Sequence, residues 1–357
     1  MVQEQGQDQM PVFEWTVYDV CCGLGGASLG IIDAFAEHGV KNAKFVGIEM
    51  VPAVAHAYKK GIEAHCKSIG VDYEISVYAA EFGKDLVEFP TESAETGKIF
   101  FHASPPCQMF SSARVGCASK EDHDKASQLF RLTLQTIEDK GYKYWTLENV
   151  PKTKMFVDEF HYKNHTLFAR GADCIFEAQK YGCPSDRKRL IASSPRINSL
   201  MRSVNEVAAV NIRTAMEAHE LPIPASCVSN GNKHNGKLST RSVHTTAPTL
   251  TASHALSWVT VNGDLLRCLN KTESAALLGF PKDFTLPKGN RDSTHALGNA
   301  VSPVQSRMMA RAVLEASRTE PAQAAGGESD REGKEGDSLE ACLVEIERVS
   351  KRMRMLM

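Results

Sequence analysis

The feature that most constrains this chain is the alternation of short apolar runs with helix-like stretches. "WTVYDV" reads as a strand, "GASLGIIDAFAEHG" as a helix ended by Gly39, "AKFVGIEM" as a second strand and "AVAHAYKKGIEAHC" as another helix. "GKIFFHAS" and "KYWTLENV" supply further strands, with helical "DKASQLFRLTLQTIEDKG" between them, and "KRLIASS" closes the region near residue 194. Strands that are apolar along their length and separated by helices predict an α/β fold, a parallel sheet with helices on its faces.

Length and composition set the outer bounds. A chain of 357 residues with 42% hydrophobic content has room for one large α/β domain and a smaller appendage. No apolar run is long enough to cross a bilayer, and the polar start "MVQEQGQDQM" lacks the features of a secretory signal. With a net charge of -2, any contact with nucleic acid must come from a local basic patch. The ten cysteines are scattered without CxxC pairs or ligand-spaced His/Cys clusters, so we expect reduced thiols and no metal.

Beyond residue 194 the character changes. "LMRSVNEVAAVNIRTAMEAHE" reads as helical and leads into "LPIPASCVSNGNKHNGKLSTRSVH". That second stretch, with Lys233, Lys237 and Arg241, reads as an exposed loop or very small subdomain. "TESAALLGF" and "SPVQSRMMARAVLEAS" read as helices. Residues 319–337 are expected to form a disordered linker, and 338–357 an amphipathic helix with Leu339, Leu343 and Ile346 at helical spacing. That helix could dock on the protein's own surface or on a targeting partner.

Five short stretches carry candidate chemistry. In "FHASPPCQMFSSA", Pro105 and Pro106 fix the backbone and hold Cys107 where a strand ends, which suits a nucleophile or an ordinary buried cysteine. In "DVCCGLGGASLG", Gly23, Gly25 and Gly26 permit a tight turn against which a ligand can lie, ahead of a helix N-terminus. Glu49, ending the second strand, stands where an acidic residue binds ribose hydroxyls, or is merely exposed there. Glu148 of "LENV" could hold a proton at the mouth of the sheet or cap a helix. Arg187 and Arg189 in "YGCPSDRKRL" share one strand face, a poor arrangement unless an anion or carbonyl lies there.

Taken in order, these stretches resemble the DNA cytosine-5 methyltransferase family. The run continues through "APTLTAS", "RCLNKTESAALLGFPKDF" and "HALGNAVSPVQ", and covers nearly all of residues 15–315. The resemblance implies a Rossmann-like S-adenosylmethionine-dependent methyltransferase sheet with a small target-recognition subdomain. It implies a first catalytic and cofactor-binding part over 1–195, a reduced recognition region over 196–245 and a return to the catalytic domain over 246–318. Cys107 would add to C6 of a flipped cytosine, Glu148 would meet its N3, Arg189 its O2, and Arg187 would support the loop. S-adenosylmethionine would contact Asp19, Gly23, Leu24, Gly25, Gly26, Glu49, Met50, Asp85, Pro106, Asn299 and Val301. Gln108, Ser111, Lys233, Lys237 and Arg241 would contact DNA.

The sequence departs from the family at several places. Cys21 stands where an aromatic is usual, and Ser185 replaces the usual glutamine of Gln-x-Arg-x-Arg. The stretch between Glu49 and Asp85 is long and reads as a surface insertion, while the recognition region is short. The expected activity is methyl transfer to C5 of cytosine in DNA by a monomer. The alternatives are an RNA (tRNA) cytosine-5 methyltransferase and a non-catalytic regulator of that fold. Localisation is expected in the nucleus if the source is eukaryotic and otherwise in the cytoplasm, with no membrane or metal partner.

Overall fold

A computed structural model describes residues 13–319 except 86, 93–96, 108–119, 155–174, 235–236 and 253–254. Gln108, Ser111, the linker beyond Thr319 and the helix expected at 338–357 lie outside the described residues. The large sheet contains β1 (Trp15–Val20), β2 (Ala43–Ile48), β3 (Glu74–Tyr78), β4 (Lys98–Ala103), β5 (Tyr144–Asn149), β6 (Ile175–Glu177) and β7 (Lys188–Ser193). Their order is β3-β2-β1-β4-β5-β7-β6, parallel except where β7 runs antiparallel to β5 and β6. Every residue of β1 and β5 is buried, because both strands are central and both faces are covered.

Alternate strand residues feed two apolar layers. Val17, Phe45 and Phe100 pack with α1 (Gly26–Glu37), α2 (Pro52–Ile69) and α8 (Pro303–Arg318) through Leu29, Ile32, Phe35, Tyr58, Ile62, Met309 and Val313. Tyr18, Val20, Phe101, Trp145 and Leu147 face the other way, onto Phe130, Leu134 and Ile137 of α3 (Lys120–Lys140). This three-layer arrangement is the one the sequence rhythm predicts.

Three sequence expectations are corrected. The stretch between Glu49 and Asp85 is not a surface insertion: it forms α2 and then β3, an edge strand paired to β2. The helical stretch around 200–220 divides into α4 (Pro195–Ser203) and α5 (Ile212–Ala218), since Val204 turns extended and Asn211 caps the new start by accepting from Thr214 N. The region expected as an exposed loop or a very small subdomain is the latter, a small sheet of β11 (Arg241–Ser242), β8 (Cys227–Ser229), β12 (Ser257–Val259) and β13 (Leu265–Cys268), but it runs past the boundary drawn at 245. A hairpin of β9 (Lys233–His234) and β10 (Lys237–Leu238) adjoins it. It has its own core, in which Trp258, Val228 and Val243 meet Ile212 and Met216 of α5 and Leu277 of α6 (Lys271–Leu278).

Under the α1 face of the large sheet, Asp19 pairs in register with His102, and His102 with Thr146. Asp19 accepts from Ser28 N (3.3 Å) and Ser28 Oγ (2.7 Å), and His102 Nδ1 lies 2.8 Å from Thr146 Oγ1. Burial pushes the Asp19 carboxyl up to about 7 and the His102 imidazole down to about 3. Between pH 3.8 and 6.5, therefore, the folded state keeps a proton on Asp19 that the unfolded chain has lost. Over the same window it refuses one on His102 that the unfolded chain binds. The two slopes have opposite sign, about 1.4 kcal/mol per pH unit each, and largely cancel. Relative to wild type, Asp19→Asn should lose stability on acidification through this window and His102→Asn should gain it. Denaturant titrations at several pH values check both signs.

Candidate functional site

The strand order reverses between β1 and β4, whose following connections run to opposite sides. In an open α/β sheet the crevice beyond the strand ends at such a point is where ligands bind. A cavity of about 1830 Å³ opens there. Gly23 after β1, Glu49 after β2, Pro106 and Cys107 after β4, and Glu148 at the end of β5 all line it. Asn299 and Val301, between α7 (Asn290–Asn299) and α8, close the opposite wall.

The glycine turn divides its labour. Gly23, at φ +52, has nothing within 4 Å of where a Cβ would stand, so its backbone lies bare to the cavity. Gly26 faces protein: a Cβ there would sit 2.0 Å from the Val301 carbonyl, so only glycine lets this wall close. Gly25 likewise faces the Tyr58 ring, and Asp19 and Leu24 are fully buried; these four shape the turn and do not line the cavity. Cys21, standing in for an aromatic, does line it, in a left-handed conformation (φ +58) unusual for a non-glycine residue.

Glu49 ties the turn to the second strand. It accepts from Gly23 N (3.1 Å) and Val51 N (2.9 Å) while its remaining lone pairs face the cavity. Burial pushes its carboxyl up and those amides pull it down, with a net rise. Beside it Met50 and Val51 are 57% and 44% exposed at the mouth, an apolar shelf of the kind a flat ring can cover. Asp85 is not among the residues lining the cavity, and its carboxylate accepts from Glu81 N (2.6 Å) within its own turn. Ala80, Glu81 and Phe82 form that wall instead.

Cys107 is placed by its neighbours. Asn149 donates from Nδ2 to the Pro105 carbonyl (2.9 Å) and accepts from Val150 N (2.9 Å), locking the proline loop onto β5. Ser104 Oγ donates to the Cys21 carbonyl (3.1 Å), joining that loop to the glycine turn. Burial pushes the Cys107 thiol up; Arg189 and Arg187 pull it down, and the Glu148 carboxylate pushes it up again. Glu148 is itself buried, its carboxyl pushed up by burial against the pull of Arg189. Arg189 Nε pairs with Glu148 Oε1 at 2.8 Å.

Arg187 and Arg189 do not share a task. Arg187, 1% exposed, turns away to donate to the carbonyls of Leu250, Gly298 and Ala300. It thus holds the Asn299 wall against β7. Of the residues expected to meet nucleic acid, Lys233 and Lys237 are exposed, with no ion pair among the described residues. Arg241 pairs with Asp186, which also accepts from Thr246 Oγ1. Asp186 and Asn149 are functional supports that sequence reasoning left unassigned, although each lies inside a motif it quoted. Among the described residues no acidic, His or Cys group could hold a metal, and no helix is long and apolar enough to cross a membrane.

Fold and site together define a Rossmann-like methyltransferase. Residues 15–207, more than half the chain, match the C-5 cytosine-specific DNA methylase family, and the chain belongs to it. It is 25% identical over 222 residues to the type II methyltransferase M.MspI of Moraxella sp, an alignment covering 55% of this chain and 51% of that protein. The chain thus spans about half the length of that relative. A solved structure described as a DNA modification methyltransferase encoded within an E. coli prophage superposes with a TM-score of 0.58. That match covers 85% of this chain and 99% of the other at 16% identity, a likeness of fold.

The Gly26 contact yields a direct test. Gly26→Ala should destabilise the protein by about 1–3 kcal/mol, since the obstructing atom is backbone and no side chain can swing aside. Gly23→Ala should cost less in stability and more in ligand affinity. Thermal melts with and without S-adenosylmethionine separate the two effects.

Proposed function

We propose that this chain methylates C5 of cytosine in DNA, with S-adenosylmethionine as the methyl donor. The observation that carries the reading is one cavity faced by both Cys107 and Glu148 and by the bare Gly23 backbone and Glu49 carboxylate. The donor fits that half of the site: Glu49 has acceptor capacity for ribose hydroxyls, Met50 and Val51 offer the shelf for adenine, and Gly23 leaves room for the chain between. When bound, it supplies an electrophilic methyl group to the cavity.

Cytosine C5 is a weak nucleophile, and the protein's own groups remedy this. The Cys107 thiolate adds to C6; the C5=C6 electrons shift into the ring, and Glu148 gives its proton to N3. The ring becomes an enamine nucleophilic at C5. After transfer, water in the cavity accepts the C5 proton, the C5–H electrons re-form C5=C6, the C6–S bond breaks to release the thiolate, and N3 returns its proton to Glu148. The pKa directions suit this cycle: a proton on Glu148 removes the negative charge that disfavours the thiolate, leaving the Arg189 and Arg187 charges to favour it. Arg189, paired with Glu148, is the group we assign to the cytosine O2, a role supported by that pairing. Because Cys107 lies at the cavity wall beyond the strand ends, a base must leave the duplex stack to reach it.

Mass spectrometry of nucleosides from duplex DNA and, separately, from tRNA treated with protein and S-adenosylmethionine tests the proposal. We expect 5-methylcytosine in DNA, none with Cys107→Ala, and a rate lower by about 10²–10⁴-fold with Glu148→Gln. Product in tRNA alone would reassign the substrate to RNA. Donor binding without product on either would make the protein a regulator of this fold.

A further inference from the structure

The three strands whose ends carry the site are lined, beneath it, by a row of polar side chains. Thr146 of β5, His102 of β4 and Asp19 of β1 are neighbours in register, so all three point to one face of the sheet. All are fully buried. The strands that bear them lead directly to Glu148, to the Cys107 loop and to the glycine turn.

The hydrogens of this row can be assigned. His102 Nδ1, 2.8 Å away, is the partner of the Thr146 hydroxyl among the described residues. A buried hydroxyl keeps its hydrogen bonded, so Thr146 donates and Nδ1 accepts. Burial holds the imidazole neutral, and its proton therefore stands on Nε2. His102 Nε2 is buried without a partner among the described residues, and so is Asp19 Oδ1. One is a donor lacking an acceptor and the other an acceptor lacking a donor, on adjacent strands and on the same face. Adjacent strands stand about 4.8 Å apart, about the span of two hydrogen bonds through one water. A buried water is retained where two or more polar groups converge on it.

The other Asp19 oxygen is engaged. Ser28 donates to Oδ2 from N (3.3 Å) and Oγ (2.7 Å), which leaves Tyr58 OH to donate to Ser28 Oγ across 2.8 Å. The Tyr58 ring in turn packs on Gly25 of the glycine turn and on Gly47 of β2, where a Cβ would come 2.6 and 2.8 Å from it.

We infer that one water molecule is held between His102 Nε2 and Asp19 Oδ1, accepting from the first and donating to the second, and that His102 is thereby a positioning residue for the half of the site that binds the methyl donor. The inference rests on the S-adenosylmethionine reading proposed above. With the water in place, one hydrogen-bonded chain runs from Thr146 through His102, Asp19 and Ser28 to Tyr58, and it fixes the Asp19 carboxylate behind the glycine turn.

Charge at Asp19 depends on that chain. The titratable groups around it are Cys21 and Cys22 after its own strand, Glu49 after β2, Tyr58 on α2 and His102 on β4. None of these brings positive charge, so hydrogen bonds to the carboxylate are what favour its ionised form. Burial raises the group to about 7, and near neutral pH the loss of one such bond leaves it protonated. S-adenosylmethionine is a sulfonium cation, whereas S-adenosylhomocysteine is a neutral thioether. A carboxylate behind the turn favours the first and is indifferent to the second.

A crystal structure of the full chain should show one water within hydrogen-bonding distance of both atoms. A direct contact between them, or a dry gap, would overturn the inference. Nitrogen-15 spectra of the histidines should place the His102 proton on Nε2, and a proton on Nδ1 would overturn the assignment without any variant. Calorimetric titration reads the positioning role. His102→Leu should bind S-adenosylmethionine about tenfold more weakly and S-adenosylhomocysteine as wild type does, roughly the effect of unit charges about 10 Å apart at an effective dielectric constant of about 20. His102→Gln, which can still donate to the water, should recover most of that affinity. Equal losses for the two ligands would make His102 merely structural and overturn the positioning role, as would unchanged affinity for both. A wild-type protein that binds neither ligand would instead overturn the S-adenosylmethionine reading.

Discussion

A single guanidinium, shut away from water, joins the parts of this molecule on which the site depends. Arg187 lies just before β7 in the large sheet, and its donors reach Leu250 beneath the small sheet and Gly298 and Ala300 on the cavity wall. A buried cation is costly unless its donors are met, and here backbone carbonyls from two distant segments meet both terminal nitrogens. Those segments cannot drift from β7 without stranding the charge. The Asn299–Val301 wall is held on its other side by Gly26, where the absence of a Cβ lets the Val301 carbonyl close in.

Within that frame, two features of the sheet give the site its chemistry. The reversal of strand order between β1 and β4 opens a crevice where no helix crosses the strand ends, so side chains ending β2, β4 and β5 converge there. Burial then sets the protonation of what converges. Glu148 and Cys107 are each pushed toward the neutral form, and each makes charge on the other less favourable. Arg189 biases both toward charge from the same side, so a proton gained by Glu148 favours charge on Cys107. Asn149, by holding the Pro105 carbonyl, fixes the proline loop that carries Cys107 against β5.

Legibility in the sequence followed burial. β1, β4 and β5 are apolar on both faces, so their residues could hardly be read otherwise. β3 was missed because an edge strand with the pattern "EISVY" is only half-buried, and its identity comes from backbone pairing to β2, which composition does not encode. A small subdomain was expected after residue 195, but its strands were not legible: at two to four residues they carry too little periodicity, and their core is completed by α5 and α6 from flanking sequence. The Arg241–Asp186 pair was not legible because the partners are remote in sequence and become adjacent only when the chain returns. Asp85 read as a cavity residue from its distance to the proline loop, whereas a local turn directs its carboxylate back onto Glu81 N.

By itself the sequence determined the layered α/β class, the residue types at the strand ends and the order of motifs that marks the family, because each is fixed by local pattern or by identity at short spacing. Tertiary structure decided which glycine faces a ligand and which faces protein, and which arginine braces a wall and which meets a carboxylate. Those distinctions depend on groups far apart along the chain, Gly26 with Val301 and Arg187 with Ala300, and such contacts are set by packing geometry that no local stretch contains.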